Sequence, residues 1–293
     1  MTIGGVGVCG PGALAPAPPL RRAEIEPVNC NICQSTTRAF ARAQILGRHD
    51  VQYYQCPSCG FVQTEEPYWL GEAYQTAITS TDLGVISRGT TFSRFTRNFI
   101  LAYFDSNAKF LDFGGGPGVF VRMMRDMGFD FYLYDKYSEN QFARGFEAST
   151  DGRGQYELVT AFEVFEHLVT PLPEIERMLE FSGNILFSTL LLPAHNPPPG
   201  QWWYYGIEHG QHVSIYTYAA LAAVARKYGL RLLSNGSSLH LLTTKPIAPW
   251  QFRLMFRRKV TWLMNLLLER RHRTKSLLER DFEANSGLRM HER

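Results

Sequence analysis

The segment that most limits what this chain can fold into is Phe110-Leu111-Asp112-Phe113-Gly114-Gly115-Gly116-Pro117-Gly118. An apolar run from Lys109 to Phe113 carries an acid and stops at a Gly-x-Gly-x-Gly turn. The next stretch, Val119 to Met127, reads as a helix. A strand ending at such a turn exposes backbone N–H groups and lets a ligand come very close to the main chain. Nucleotide-binding sheets of many kinds use a glycine-rich turn, so the turn alone does not fix the class. The following residues narrow it. After the helix comes a second strand, Phe129 to Tyr134, which ends in Asp135. A carboxylate at that tip can accept from both hydroxyls of a ribose diol.

Around this core the sequence divides into four parts. The 293 residues, 45% of them hydrophobic, suffice for one large domain with a small appendage. Residues 1–27 are expected to be a disordered tail. Met1 to Pro19 is rich in Gly, Ala and Pro, is uncharged, and lacks the basic start and long apolar run of a signal peptide. Residues 28–66 form a short unit around two cysteine pairs. Residues 67–245 form the main domain, beginning with a helical stretch in which Phe92, Phe95, Phe99 and Ile100 recur at helical spacing. Strands are predicted at 109–113, 129–134, 156–162, 184–190, 230–235 and 238–244, with helices between most of them, which argues a doubly wound α/β sheet. Only Asn235-Gly236 and its neighbours separate the last two strands, so these are expected to be antiparallel. Residues 246–293 read as a basic amphipathic helical tail.

Cys30-Asn31-Ile32-Cys33 is followed after about 22 residues by Cys56-Pro57-Ser58-Cys59. Each pair can form a knuckle that offers two thiolates to a tetrahedral ion, and two knuckles close the site. Cys30, Cys33, Cys56 and Cys59 are therefore expected to bind a structural zinc ion in a ribbon whose strands include Val51 to Tyr54 and Phe61 to Gln63. Four free or disulfide-linked cysteines are the alternative. Cys9 is left over.

The strand Tyr156 to Phe162 runs into Glu163-Val164-Phe165-Glu166-His167. Together with the Asp112–Gly118 turn and Asp135, this order resembles class I S-adenosylmethionine-dependent methyltransferases, and within them the ubiquinone-biosynthesis-like small-molecule branch. The resemblance covers roughly residues 90–245. The cysteine pairs ahead of it resemble the amino-terminal zinc unit of sugar C-methyltransferases. In that group a Glu-His pair after the fifth strand stands five residues before a Ser that opens a helix, as Glu208-His209 and Ser214 do here. The resemblance implies a Rossmann-like seven-stranded methyltransferase sheet with an antiparallel last strand, preceded by a small zinc ribbon. It also implies S-adenosyl-L-methionine as cofactor. Asp112 would anchor the turn and the amino group of the methionine moiety, Gly114, Gly116 and Gly118 would admit it, and Asp135 would take the ribose hydroxyls. Lys136 and Tyr137 would flank the adenine, and Phe162 and Glu163 would line the sulfonium end.

The acceptor side is expected in Leu191 to His212, a long connection at the carboxyl edge of the sheet. Trp202, Trp203, Tyr204 and Tyr205 offer flat walls for a sugar ring or an aromatic acceptor, or else cover the core edge. His209 is the expected general base, with Glu208, His212 or His195 orienting or replacing it. Glu166-His167 reads as a packing or cofactor-loop pair before a catalytic one, and Tyr74 is a candidate to close over the cofactor. The resembled sugar enzymes carry a large further domain where this sequence has residues 246–293, so O-methylation of a sugar, glycolipid or natural product stands beside C-methylation.

An RNA base methyltransferase is the alternative function. A net charge of +3, and a ribbon in which Arg38, Arg42 and Arg48 face Asp50, Glu65 and Glu66, make nucleic acid an unlikely partner. A non-catalytic scaffold is disfavoured by the intact turn and Asp135. No apolar run approaches the roughly 18–20 residues of a membrane span. The expected location is cytoplasmic, with peripheral membrane contact through clustered Arg and Trp in 246–293.

Overall fold

In a computed structural model of the chain, residues 1, 28–75, 84–149, 152–257, 260, 264 and 275–289 are described. The expected tail over 2–27 and most of the basic stretch 258–274 lie outside the described residues. In chain order come β1 (Arg38–Ile45), β2 (His49–Gln55), β3 (Val62–Thr64), α1 (Leu70–Ala73) and α2 (Val85–Tyr103). Then follow β4 (Lys109–Phe113), α3 (Val119–Asp126), β5 (Asp130–Tyr134), β6 (Leu158–Ala161), α4 (Pro171–Phe181) and β7 (Asn184–Ser188). The chain continues with β8 (Ser214–Ile215), α5 (Tyr218–Lys227), β9 (Arg231–Ser234), β10 (Leu239–Thr243), α6 (Pro249–Leu254) and α7 (Leu278–Ser286).

The main sheet has the order β5-β4-β6-β7-β10-β9. The first four of these strands are parallel, and β10 runs antiparallel to both its neighbours. Strands buried on both faces carry apolar side chains at nearly every position. Here alternate residues serve opposite layers. Leu111, Val159, Ile185 and Leu242 pack toward Ile175 and Met178 of α4 and Leu221 and Val224 of α5. Phe110, Leu158, Leu186 and Leu241 pack toward Phe99 of α2, Val121 and Met124 of α3 and Phe252 of α6. The β9–β10 hairpin turns at Gly236, with the Asn235 side chain accepting from the amides of Ser237 and Ser238 at 2.9 Å. The carboxyl tips of β4, β5 and β6 therefore line up along one edge, where ligands of such sheets bind.

Two expectations change. The sheet has six strands among the described residues and not seven. Beyond β5 the chain returns only as a single parallel bridge, Leu133 to Glu147, in which Leu133 donates to Phe146 and Ala148 donates to Leu133. Residues 135–145 are spent on turns, with Gly145 at φ 87°, so too little chain remains extended for a ladder. The ribbon, moreover, is not closed on itself. Its sheet has the order β1-β2-β3-β8, and β8 comes from the loop after β7, pairing Val62 with Ile215 and Gln63 with Ser214. Trp69, Tyr53, Val62, Tyr204, Tyr205 and Val213 share one core between ribbon and loop.

The carboxyl-terminal stretch is also more than a basic helix. Helix α7 returns to α3, where Asp281 is buried against Arg125 and Arg122.

Candidate active site

The glycine turn leaves β4 through three positive-φ residues, Gly114 (71°), Gly116 (57°) and Gly118 (87°), the last opening α3. A side chain at Gly118 would run into Asn140 and Ala143, so space as well as backbone angle requires glycine there. Asp112 is buried beneath the turn, beside the Cα of Gly115, and accepts from the Thr160 hydroxyl at 2.7 Å. Burial, with Asp135 nearby, pushes its carboxyl up to about 7 despite that hydrogen bond. Asp135 faces the turn from the tip of β5. Its Oδ2 accepts from the amide of Gly116 at 2.9 Å, and its Oδ1 accepts from those of Tyr137 and Ser138 at 2.7 and 2.8 Å. Oδ1 is thus filled by two donors, while Oδ2 keeps a lone pair free for a hydroxyl. A cavity of about 470 Å³ opens beside it, lined in part by Asp135, Ser138, Glu139 and Asn140.

At the tip of β6 the chain bends sharply at Glu163, φ 54°. Ser188 on β7 holds this bend, accepting from the Glu163 amide at 2.7 Å and donating to its carboxylate at 2.6 Å. Phe162 stacks on Phe92 of α2, ring centres 4.3 Å apart. Three residues past Glu163 lies a cluster of buried titratable groups. Glu166 is 0% exposed, and neither of its carboxyl oxygens has a partner at ordinary hydrogen-bond distance, although the hydroxyls of Tyr204 and Thr189 come near enough to favour its charged form slightly. Burial, reinforced by Glu163, pushes its carboxyl up to about 8. The ligating atoms of Glu166, His167 and His212 lie within 4.8 Å of one another. The rings of His167 and His209 each meet that of His212 edge-on, at 4.9 and 4.8 Å.

The tautomers follow from the partners. Nδ1 of His167 is 3.1 Å from the carbonyl of Gln211, and Nδ1 of His212 is 2.5 Å from that of Tyr204. A carbonyl can only accept, so both rings carry their proton on Nδ1 and leave Nε2 bare. Tyr74 also reaches Nδ1 of His167, at 3.0 Å. Desolvation, with neighbouring imidazoles, lowers His167 to about 4 and His212 well below its usual value, so both are neutral. His209 is the opposite case. Its Nδ1 accepts from the Gln211 amide at 3.1 Å, so the neutral ring has an N–H at Nε2.

The four cysteines also converge. Cys30 and Cys59 sulfurs are 3.6 Å apart, Cys33 and Cys56 sulfurs 3.4 Å, and all four lie within 4.8 Å of one another. Four thiolates at about 2.3 Å from one ion would be spaced by about 3.8 Å. The donor set and spacing fit a tetrahedral ion closed to other ligands.

These elements have a counterpart among known proteins. The methyltransferase-domain family matches residues 89–235, half the chain, which contains the glycine turn, Asp135 and the histidine cluster. The chain belongs to this family of S-adenosylmethionine-dependent methyltransferases. No curated protein matches it in sequence. Among solved structures, TnmH is 18% identical with a TM-score of 0.42, over 61% of this chain and 62% of that one. The mitomycin 7-O-methyltransferase MmcR is 16% identical with a TM-score of 0.40, over 60% of each chain. The 1,6-didemethyltoxoflavin-N1-methyltransferase of Burkholderia thailandensis is 13% identical with a TM-score of 0.44, over 69% of this chain and 97% of that one. The chain thus spans about six tenths of the length of TnmH and of MmcR.

Within the methyltransferase domain, the turn glycines, Asp112, Asp135, Phe162 and Glu163 fall along one edge of the sheet. The ammonium of Lys136 is bound by Glu174 of α4 at 2.8 Å. Tyr137 is 90% exposed. Of the four loop aromatics, Tyr204 and Tyr205 are buried and Trp202 packs on both, which leaves only Trp203, 73% exposed, as a free flat face. Glu208 and His195 are exposed, whereas His212 and His209 join the cluster. The expected base, His209, carries its proton on Nε2. The carboxylate of the cluster is Glu166 and not Glu208. Sequence spacing could not find that group, because Glu166 and His212 come from loops after different strands. They meet because Val213 donates to the Glu166 carbonyl at 2.9 Å and Ser214 to that of Leu168 at 2.6 Å.

Proposed function

We propose that the chain transfers the methyl group of S-adenosyl-L-methionine to a hydroxyl of a small-molecule or glycan acceptor: a sugar, glycolipid or natural product. The observation that carries this reading is the sequence of groups along one sheet edge. A bare backbone turn and Asp135 stand at one end, and a buried imidazole–carboxylate cluster under a long loop stands at the other. Asp135 would hold the ribose diol, Gly114, Gly116 and Gly118 would let the methionine end approach the main chain, and Asp112 would brace the turn from below. The cofactor brings the reactive methyl group, so the protein must orient the acceptor, exclude water and deal with its proton. His209 would donate to the acceptor oxygen through Nε2, with Glu208 at the mouth of the site. Removing the proton falls to the buried cluster that contains His212. Trp203 supplies a face for a ring-shaped acceptor.

The four cysteines would hold a structural zinc ion that stiffens the ribbon, and with it the acceptor loop contributing β8. Recognition of RNA by this ribbon is poorly supported, because Arg42 pairs with Asp50 at 2.9 Å and Arg48 with Glu72. No helix among the described residues is long and apolar enough to cross a membrane. Trp250, 65% exposed on α6, would be the described anchor for peripheral contact.

The test is calorimetric titration with S-adenosylhomocysteine, followed by a labelled-methyl assay against hydroxylated acceptors. Binding by the wild-type protein and its weakening in Asp135→Ala are expected. Absence of binding, or preference for a nicotinamide dinucleotide, would sink the proposal.

A further inference from the structure

We infer that Glu166, His167 and His212 form a second metal centre, distinct from the four cysteines, that takes a divalent transition-metal ion. Two neutral imidazoles and one carboxylate are a recurrent set for such ions, leaving positions open for water or substrate. The arrangement here has three features that a set of merely packed side chains does not require.

First, a fully buried carboxyl has no partner at ordinary hydrogen-bond distance on either oxygen, only the weaker approach of the Tyr204 and Thr189 hydroxyls. Buried polar groups are almost always satisfied, and an orphan of this kind asks for a missing partner. Secondly, both imidazoles are fixed by backbone carbonyls at Nδ1, those of Gln211 and Tyr204. Metal-bound histidines are oriented in this way, with the second nitrogen bonded to a carbonyl or carboxylate and the first left bare for the ion. Thirdly, the ligating atoms lie within 4.8 Å of one another. Around an ion at about 2.1 Å from each, ligating atoms stand roughly 3.0–3.5 Å apart, so the three side chains are gathered at nearly the separation that one ion needs.

This inference deepens the proposed reaction by naming how the buried cluster makes the acceptor acidic. With the ion in place, the lone pairs of His167 and His212 would be held by it, so the cluster would act through the ion: an acceptor hydroxyl at an open position would release its proton to solvent water more readily. Ion binding itself depends only on the three side chains and stands apart from methyl transfer.

The experiment uses the full-length protein carrying its ribbon metal, titrated calorimetrically with Co²⁺, and repeats the titration on Glu166→Gln and His212→Ala. Wild type is expected to take up one further equivalent of Co²⁺ per chain, without the sulfur charge-transfer absorption of a thiolate site. Each substitution is expected to weaken that uptake by about 10-fold or more. Thermal melting and S-adenosylhomocysteine binding, measured on the same samples, establish that the variants are folded; His167→Asn replaces either one that is not. No further uptake by wild type overturns the centre, even when the cofactor product binds normally. Uptake undiminished in the folded variants overturns it equally, because the ion then sits elsewhere. Loss of cofactor-product binding in wild type would instead count against the methyltransferase reading.

Discussion

The amide of Gly116 donates to the carboxylate of Asp135 across 2.9 Å, tying the turn after β4 to the tip of β5. The two pieces of the proposed cofactor cradle are therefore one hydrogen-bonded unit before any ligand arrives. Asp135→Ala removes both the diol acceptor and the brace. It is expected to weaken S-adenosylhomocysteine binding by about 10- to 100-fold, the range for hydrogen bonds to a charged group. Asp135→Asn keeps an acceptor and the shape, and should fall between the two. Calorimetry on the three proteins checks the order.

Asp112 gives the fold a pH dependence with a defined sign. Its carboxyl is raised to about 7 by burial, above the roughly 3.9 of an unfolded chain. Between these values the folded protein holds a proton that the unfolded chain has released. The group's contribution is complete below about pH 4 and is lost as pH rises through about 7, by at most about 1.4 kcal/mol per pH unit. Asp112→Asn removes this term while keeping an acceptor for Thr160. Urea unfolding without cofactor should therefore show the variant gaining on wild type between pH 5 and pH 8. A constant difference would mean that Asp112 titrates normally.

Gly206 bears directly on the acceptor site. Its backbone is left-handed at φ 57°, and a Cβ there would overlap the imidazole of His209. Gly206→Ala is expected to displace His209 and lower methyl transfer to the level of His209→Ala, with cofactor-product binding unchanged. Parallel assay of the two variants and their double mutant checks this, since the effects should not add.

Arg125 is fully buried and grips Asp281 with two nitrogens, at 2.7 and 2.8 Å, while Asp130 takes its third at 2.7 Å. Removing Asp281 leaves this buried guanidinium with Asp130 as its one carboxylate and two of its nitrogens without their partner. Asp281→Ala should cost about 3 kcal/mol in denaturant unfolding. Arg125→Met with Asp281→Leu should cost less than the sum of the single changes.

Because β8 completes the ribbon sheet, loss of the cysteine site should reach the acceptor loop. Cys56→Ser, or strong chelation, is expected to release one metal equivalent and lower thermal stability. It should also change the fluorescence around Trp69, whose indole N–H donates to the Gly210 carbonyl at 2.8 Å. An unchanged Trp signal on metal release would separate ribbon from loop.

The elements legible in the sequence were those set by local periodicity. The strands predicted at 109–113, 184–190 and 238–244 were readable because strands buried on both faces are continuous apolar runs, though the last two are shorter in the structure, at 184–188 and 239–243, and the Asn235-Gly236 turn announced the hairpin. The glycine turn and Asp135 were readable because backbone angle and strand-tip position demand particular residues. The seventh strand was not readable as missing, since only the turns over residues 135–145 reveal how much chain is left to pair. The aromatic loop pointed to exposed walls, yet Tyr204 and Tyr205 are drawn into the core by Tyr53, Trp69 and Val213.

The sequence by itself determined the layered α/β sheet, the pairing of the cysteines into knuckles and the chemistry available at the strand tips, because each depends on residues close in the chain. Only the tertiary structure decided which histidines share a site, which nitrogen of His167 and of His212 is bare, and that Glu166 rather than Glu208 is their carboxylate. Those facts depend on two distant loops being held together by backbone hydrogen bonds, and on burial that water cannot relieve.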